Sequence, residues 1–564
     1  MWLVAVDTLQ IQPYIFGSNR LRENVGASYL VDMATGDWAC EAVKDAAPTN
    51  NLGPGHLLRD DARIEDGLEA EVLYAGGGNF VVLFREDRAA TAFTSTLSRY
   101  VLQEAPGLQL EIARQEMDWH KDVLRDRLDE VLHRLAVQKR QRARPAPLLG
   151  LGVTAACRST GLPATGVVRG IGDDPDYLAS DEIRTKVDVA WPGLHGLSMA
   201  DRRLQATIKL EAGYRYPADF EDLGSTVGEY SHIAVVHADG NSIGQRLREI
   251  GAPYATADKN RECVLARRDF SRNLKQAAQS ALQAVLNQLV QEVCEQDGQR
   301  IIGSSPNPKN PDALPWITLK RKGSEFFIPL RPLVFGGDDV TFVCDGRLGL
   351  ALTTAYLQEF ERQTEAAGLG KDRGRLTACA GVAIVKGHYP FARAYQLAAD
   401  LTGSAKVYRR TCEAITGSCL DWHFALSGLG GSIDEIRARE YTVPEGSLVL
   451  RPVTLENNPV QSQHAWPVIW RGIQEFQGKE WADRRNKIKA LRDALREGPA
   501  AVKHFIAVFN DGAHLPSVLS EMGTWPETGW QGKFCGYFDA IELADWFIPL
   551  QGGADETPAT APAT

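Results

Sequence analysis

The sequence predicts an α+β chain of two tandem domains of one type, the first degenerate, followed by a mainly helical C-terminal domain. Three observations carry this. The order strand, helix, hairpin, helix, strand is legible twice. Both hairpins hold a glycine pair, Gly76-Gly77 and Gly336-Gly337. Beyond Cys419 helical periodicity takes over, with Ile488, Leu491 and Leu495 on one face.

In the first domain, Leu3-Val4-Ala5-Val6 ends at Asp7 and reads as a buried strand. A helix-like stretch follows at Gly26 to Val31. Val72 to Phe84 reads as a hairpin around Gly76, Gly77 and Gly78, because glycine adopts positive φ at a tight turn without strain. Val123, Leu124, Leu128, Val131, Leu132 and Leu135 mark one face of a helix that Pro145 and Pro147 end, and Leu148 to Val153 should resume as a strand. In the second domain, Ile233 to Val236 leads into His237-Ala238-Asp239-Gly240-Asn241. A long helix then presents Leu282, Val285, Leu286, Leu289 and Val293. After a Pro/Asn-rich loop come the hairpin Leu333 to Val343, a helix and the strand Leu376 to Ile384. The expected organisation is 1–165 for the first domain, 166–230 for a connection, 231–424 for the second domain and 425–551 for the helical domain. Residues 552–564, rich in Ala, Pro, Thr and Gly, should be a disordered tail.

Composition narrows the function. The 564 residues are 44 % hydrophobic and 24 % charged, ordinary for a globular protein. No apolar run reaches the roughly 18 to 20 residues that span a bilayer, and the N-terminus lacks the basic region of a signal peptide, so a cytoplasmic protein without membrane contact is expected. The net charge of −10 (62 basic against 72 acidic residues) excludes a whole-surface nucleic-acid coat. Nine cysteines without a Cys-x-x-Cys pair point to reduced thiols in the core, neither a disulfide framework nor a zinc ribbon.

The chemistry sits at the second hairpin. Asp338 and Asp339 are adjacent like charges between apolar strands, which turn formation alone does not explain. Asp239, just past the strand Ile233 to Val236, supplies a third carboxylate if that strand pairs beside the hairpin. Oxygen-only ligands suit Mg²⁺ or Mn²⁺, which keep waters and substrate phosphates in their shells. Because strand side chains alternate faces, Asp338 and Asp339 should differ in role, one ligating directly and the other serving a second metal or the outer shell.

Phe335-Gly336-Gly337-Asp338-Asp339-Val340 resembles the GGDD palm of the large subunit of type III CRISPR–Cas effector complexes, a relative of the GGDEF-type nucleotidyl cyclases. Gly17 to Asn24 with Gly26-Ala27-Ser28-Tyr29-Leu30 resembles the opening of the first palm. Cys379 to Lys386 with Tyr389-Pro390-Phe391 resembles the strand and turn after the GGDD hairpin. Ala399-Asp400 with Ala405-Lys406 fits the cyclase helix pattern A-D-x-x-x-x-A-K. The resemblance covers roughly residues 1 to 420. It implies two tandem ferredoxin-like palms of the nucleotidyl cyclase and polymerase kind.

By this resemblance Asp239, Asp338 and Asp339 are catalytic metal ligands, and Lys406 contacts the triphosphate. Gly336, Gly337, Gly240 and Asn241, with Gly76, Gly77, Gly78 and Asn79 of the first copy, line the nucleotide site. The implied reaction joins ATP through a 3′-hydroxyl attack on an α-phosphate, giving a cyclic oligoadenylate and pyrophosphate in antiviral defence. Implied partners are ATP, guide and target RNA, RNA-binding effector subunits and a second copy of the chain. Gly78 and Asn79 replace the acid pair in the first copy, so that palm should position nucleotide without its own catalytic metal. Asn241 stands where cyclases often place a second acid. No His-Asp dipeptide occurs, so the nuclease domain of many relatives is not expected. A non-catalytic nucleotide-sensing scaffold of an RNA-guided complex is the alternative, but a scaffold needs no clustered acids. A templated polymerase is a third reading, disfavoured by the Ala399 to Lys406 pattern.

Weaker candidates remain. The basic runs Lys139, Arg140, Arg142, Arg144 and Arg484, Arg485, Lys487, Lys489, Arg492, Arg496 read first as solvated helix faces and second as grips for RNA or a partner. Asp173, Asp174 and Asp176 read as an exposed loop, and His237 as a structural strand-end histidine.

Overall fold

The computed structural model describes residues 1–550 apart from 77, 143–151, 171–174, 192–195, 225–231, 297, 304–314, 412, 426–430, 457, 459–461, 479, 482–483, 510–514, 517 and 519–524. The expected tail at 552–564 therefore lies outside the described residues.

Two sheets with the same internal strand order form the centre. In the first, β1 (Trp2–Leu9) lies between β3 (Asn79–Phe84) and β4 (Gln109–Glu116), with β2 (Ala70–Gly76) beyond β3. In the second, β5 (His232–Gly240) lies between β7 (Asp339–Asp345) and β8 (Ala378–Lys386), with β6 (Leu330–Phe335) beyond β7. All of these neighbours are antiparallel. The second sheet then extends through β9 (Cys419–Ala425), parallel to β8, to the two-residue β10 (Val453–Thr454). The hairpins match in detail: the register shifts between Val72 and Tyr74 in one and between Pro332 and Val334 in the other, two residues before Gly76 and Gly336.

Alternation along each central strand decides what covers each face. Leu3 and Ala5 pack under α4 (Leu124–Gln141), while Val4 and Val6 face the side covered by α1 (Leu21–Thr35), α2 (Asp37–Ala46) and α3 (Asp87–Glu104). Ala234, Val236 and Ala238 pack against α5 (Asn260–Gln291) and α6 (Gly349–Ala366). Ile233, Val235, Val343 and Ala383 face the other way, towards α7 (Phe391–Arg410), and join the same apolar core as Val4 and Val6. Phe16 stacks on Tyr395 within that core, centroids 3.8 Å apart. A charged clamp reinforces the contact between the halves. Arg261 and Arg268 of α5 both reach the buried Glu71 carboxylate, at 2.7 and 3.0 Å, and Arg268 also donates to the Val72 carbonyl.

The structure corrects the first-domain reading. The segment that closes the first sheet is β4, preceded by α3, and the helix carrying Leu124 to Leu135 comes after it. As the edge strand of its sheet, β4 is only half buried, so Gln109 to Glu116 lacks a strong apolar pattern. Leu132, expected on the apolar face, is exposed. Leu148 to Leu151 fall outside the described residues, and Gly152-Val153 forms a turn with Val153 exposed, not a strand. The C-terminal part is largely helical, including α8 (Ile433–Glu440), α9 (Arg485–Glu497) and α10 (Phe538–Ala544). It also holds a small four-stranded sheet of two-residue strands. Among the described residues no helix is long and apolar enough to cross a membrane.

Candidate active site

β5 and β7 place Asp239 directly opposite Asp339, so both side chains leave the same face of the sheet. Asp338 belongs to the turn before β7, and its carbonyl accepts a hydrogen bond from the Gly240 amide at 3.1 Å. A Cβ on Gly240 would lie 2.7 Å from the Asp338 Cβ, so Asp338 can sit here only because residue 240 has no side chain. Gly337 turns the hairpin with φ +140°, a region that favours glycine.

Helix α7 crosses this face. Lys406 brings its ammonium 2.5 Å from Asp239 Oδ2, and the Thr402 hydroxyl donates to the His237 carbonyl at 2.9 Å. His237, buried below the acids, has Nδ1 3.2 Å from Thr341 Oγ1 and 3.3 Å from Asp339 Oδ1. Burial holds the imidazole below its ordinary pKa, so the ring is neutral at physiological pH. Asn241 is committed to Thr377 through both its amide N–H and its side chain.

The hairpin carboxyls resist ionisation. Removal from bulk water, then repulsion from Asp239, pushes Asp338 up to about 6 and Asp339 up to about 7. Water still reaches about half of the Asp339 side chain (53 %), which softens the effect and leaves its direction. Among the described residues no three carboxylate, imidazole or thiolate groups converge closely enough to enclose a metal as they stand, and Lys406 occupies the Asp239 side. The donors nevertheless fit a hard divalent cation. They are oxygens from neighbouring strand ends, held near one another against their own repulsion, which a cation would relieve.

The first sheet repeats this arrangement in part. Asp7 faces Asn79 across β1 and β3, as Asp239 faces Asp339. Lys139 of α4 pairs with Asp7, as Lys406 of α7 pairs with Asp239, and each lysine is the sixteenth residue of its helix. Sequence reasoning missed the Asp7–Lys139 pair because it placed the closing strand after α4; the matched helix position was the available signal. Lys139 is thus engaged, and Arg142 binds the Leu110 carbonyl and Glu111, so the basic helix end is not a free grip. Arg144 and Gly77 lie outside the described residues.

Gly78 occupies the place of Asp338. It takes φ +81°, and a Cβ there would meet Ile11 Cδ1 at 2.9 Å and Thr8 Oγ1 at 3.0 Å. Gly78→Asp is therefore expected to lower the melting temperature and to add no second active centre. A rise in turnover with unchanged melting would contradict this. Both hairpin tips open onto one cavity of about 240 Å³, lined among others by Tyr29, Tyr74, Asn79, Arg203, Asp338 and Asp339. Tyr74, from the first hairpin, lies close enough to feel the Asp338 charge, which with burial raises its phenol to about 12.

Residues 232–412 match the family described as Cas10/Cmr2, second palm domain. The chain therefore contains a Cas10/Cmr2-type palm domain. Its three acids and Lys406 all fall within the matched segment. No curated protein matches the chain. Among solved structures, the Csm1-Csm4 cassette in complex with cA4 superposes with a TM-score of 0.50 at 12 % identity, covering 96 % of this chain and 68 % of that one. The cassettes with pppApApA and with AMPPNP superpose with TM-scores of 0.50 at 13 % and 14 % identity, each covering 96 % of this chain and 69 % of the other. At such identity the likeness shows the fold: beyond the palm, the architecture matches that of the Csm1-Csm4 cassette structures.

Proposed function

We propose that the chain is a divalent-cation-dependent nucleotidyl cyclase that converts ATP to a cyclic oligonucleotide messenger, acting as the large subunit of an RNA-guided antiviral complex. The observation that carries this is Asp239 opposite Asp339, with Asp338 beside them and Lys406 against them, in a cleft shared with the first hairpin. The solved relatives add support, since their complexes hold AMPPNP, linear and cyclic adenylates, and a Csm4 partner.

On this reading the two sheets are tandem palms, the first spanning 1–165 and the second 231–424. The base and ribose occupy the cleft between the hairpins, and the triphosphate extends towards Lys406. Asp239, Asp338 and Asp339 would hold Mg²⁺ or Mn²⁺, which supplies positive charge to the attacking oxygen and the departing pyrophosphate. The 3′-oxygen bonds to the α-phosphorus, the bond from that phosphorus to the bridging oxygen of the β-phosphate breaks, and the hydroxyl proton passes to water. Lys406 offsets charge on the leaving pyrophosphate. His237, neutral and fixed to Thr341, orients Asp339 and does not take the proton. Gly337 and Gly240 keep the hairpin backbone open to nucleotide, and Asn79 with Gly78 positions the second nucleotide without a charge of its own.

The test is product analysis by mass spectrometry after incubation with ATP and Mg²⁺ or Mn²⁺, with and without target RNA and partner subunits. Cyclic adenylates that disappear in the Asp338→Ala, Asp339→Ala variant are the expected result. Absence of product under every condition, or the same product from the variant, overturns the reading.

A further inference from the structure

A larger cavity, of about 880 Å³, lies at the other end of the catalytic sheet. His232 begins β5 and lines this cavity, while Asp239 lies next to the last residue of β5, about 23 Å away along the strand. The cavity is assembled where α7, the end of β9, α8, α9 and α10 meet, so it joins the palm to the helical part.

Three of its features point to one class of ligand. The first is an apolar and aromatic surface: Leu397, Ile433 and Ile436 with Phe424 and Trp546, the last two packed edge to face at 6.2 Å. The second is unspent positive charge. Arg393 has no ion-pair partner among the described residues, and the nearest carboxylate to Arg492 is its neighbour Asp493 at 4.0 Å. The cavity's acids are mostly compensated: Glu542 accepts from Arg451 and Tyr441, Asp545 faces Arg485, and Glu440 faces Arg439. Among the described residues Asp400 accepts only from Gln396. The third is His423, 94 % buried by its 6 % exposure, whose Nδ1 lacks a hydrogen-bond partner among the described residues. Burial, with Arg451 and Arg437 nearby, keeps that ring uncharged, so it forms a neutral polar part of the wall and adds nothing to the positive charge.

We propose that this cavity is a nucleotide-binding site separate from the catalytic cleft. A base lies against the surface formed by Phe424 and Trp546, and its phosphate is held by Arg393 and Arg492. Aromatic faces combined with arginine are the general chemistry of unpaired nucleotide recognition. The nucleotide is either free or one unit of a single-stranded RNA, whose backbone would continue along the basic face of α9.

The site is tested by fluorescence anisotropy on the full chain in EDTA, which disfavours triphosphate binding at the acids. Two probes are used, a fluorescent AMP and a labelled single-stranded RNA hexamer. At least one should bind and lose tenfold or more in affinity with Arg393→Glu and Arg492→Glu together; both side chains are exposed, so the fold should persist. The probe that loses affinity identifies the source. Photo-crosslinking with 8-azido-AMP should label peptides holding Phe424 or Trp546. Failure of both probes to bind, affinities unchanged by the charge reversal, or crosslinks confined to the Tyr74 and Phe335 peptides would each overturn the site. Because binding is read without turnover, a negative product assay leaves this experiment intact.

Discussion

Asp339→Asn is expected to lower turnover in the proposed cyclase reaction by about 10²- to 10³-fold, the usual cost of removing one group that offsets transition-state charge, while stabilising the metal-free protein at pH 8. Asp339 is held with its pKa raised to about 7 by burial and by Asp239. A carboxyl whose folded pKa lies above its unfolded value of 3.8 contributes fully below the unfolded value and loses that contribution as pH rises through the folded one. The deficit therefore develops between about pH 4 and pH 7 and is complete at pH 8. Asparagine keeps the shape and the contact with His237 without the charge, so the variant should melt above the wild type at pH 8 and level with it at pH 4. The same reasoning predicts that Mg²⁺ or Mn²⁺ raises the melting temperature of the wild type at pH 8 far more than at pH 5, and of the variant little at either. Thermal melts across pH, with and without cation, decide it. A variant less stable than the wild type at pH 8, or a cation effect independent of pH, would refute the picture of mutually repelling acids.

Gly381→Ala should damage the protein as a whole. Gly381 faces His237 across β8 and β5, and α7 passes directly over it. An added Cβ would lie 2.1 Å from the Ala398 carbonyl oxygen and 2.5 Å from the Thr402 nitrogen, both backbone atoms of α7, so the helix itself must lift. Overpacking of this kind costs about 3 kcal/mol, and the lifted helix carries Lys406 away from Asp239. Denaturant unfolding should show the lost stability, and the product assay should show lost turnover. Gly403→Ala, on the same helix with nothing within 4 Å of the added carbon, is the control and should stabilise by about 0.5–1 kcal/mol. Equal stability in the two variants would falsify the close-approach argument.

What could be read from the sequence was local. Asp338 and Asp339 betray themselves as adjacent charges between apolar strands, and Asp239 as an acid ending a buried strand. Short-range pattern is enough to find such groups. The hairpins were legible because glycine pairs and β-branched flanks occur within a dozen residues. The half-buried edge strand β4 was not, since its burial is shared with solvent and its pattern diluted. Nor was the Asp7–Lys139 pair, which depends on knowing which helix follows which strand. The cavity around His423 is the extreme case. Its walls come from segments between residues 232 and 546, and no periodicity in any one of them announces the others.

The common apolar interior of the two sheets has a consequence for how the protein comes apart. Val4 and Val6 of the first sheet share one core with Val235, Val343 and Ala383 of the second, and Phe16 stacks on the helix that carries Lys406. Cutting the chain at 231 would open that interior to water on the face where Lys406 is held. The stretch 232–412 that kinship singles out is thus a unit of descent but not a cooperative folding unit. Melting of the sheet that bears Asp239 and Asp339 and of its counterpart should occur as one event.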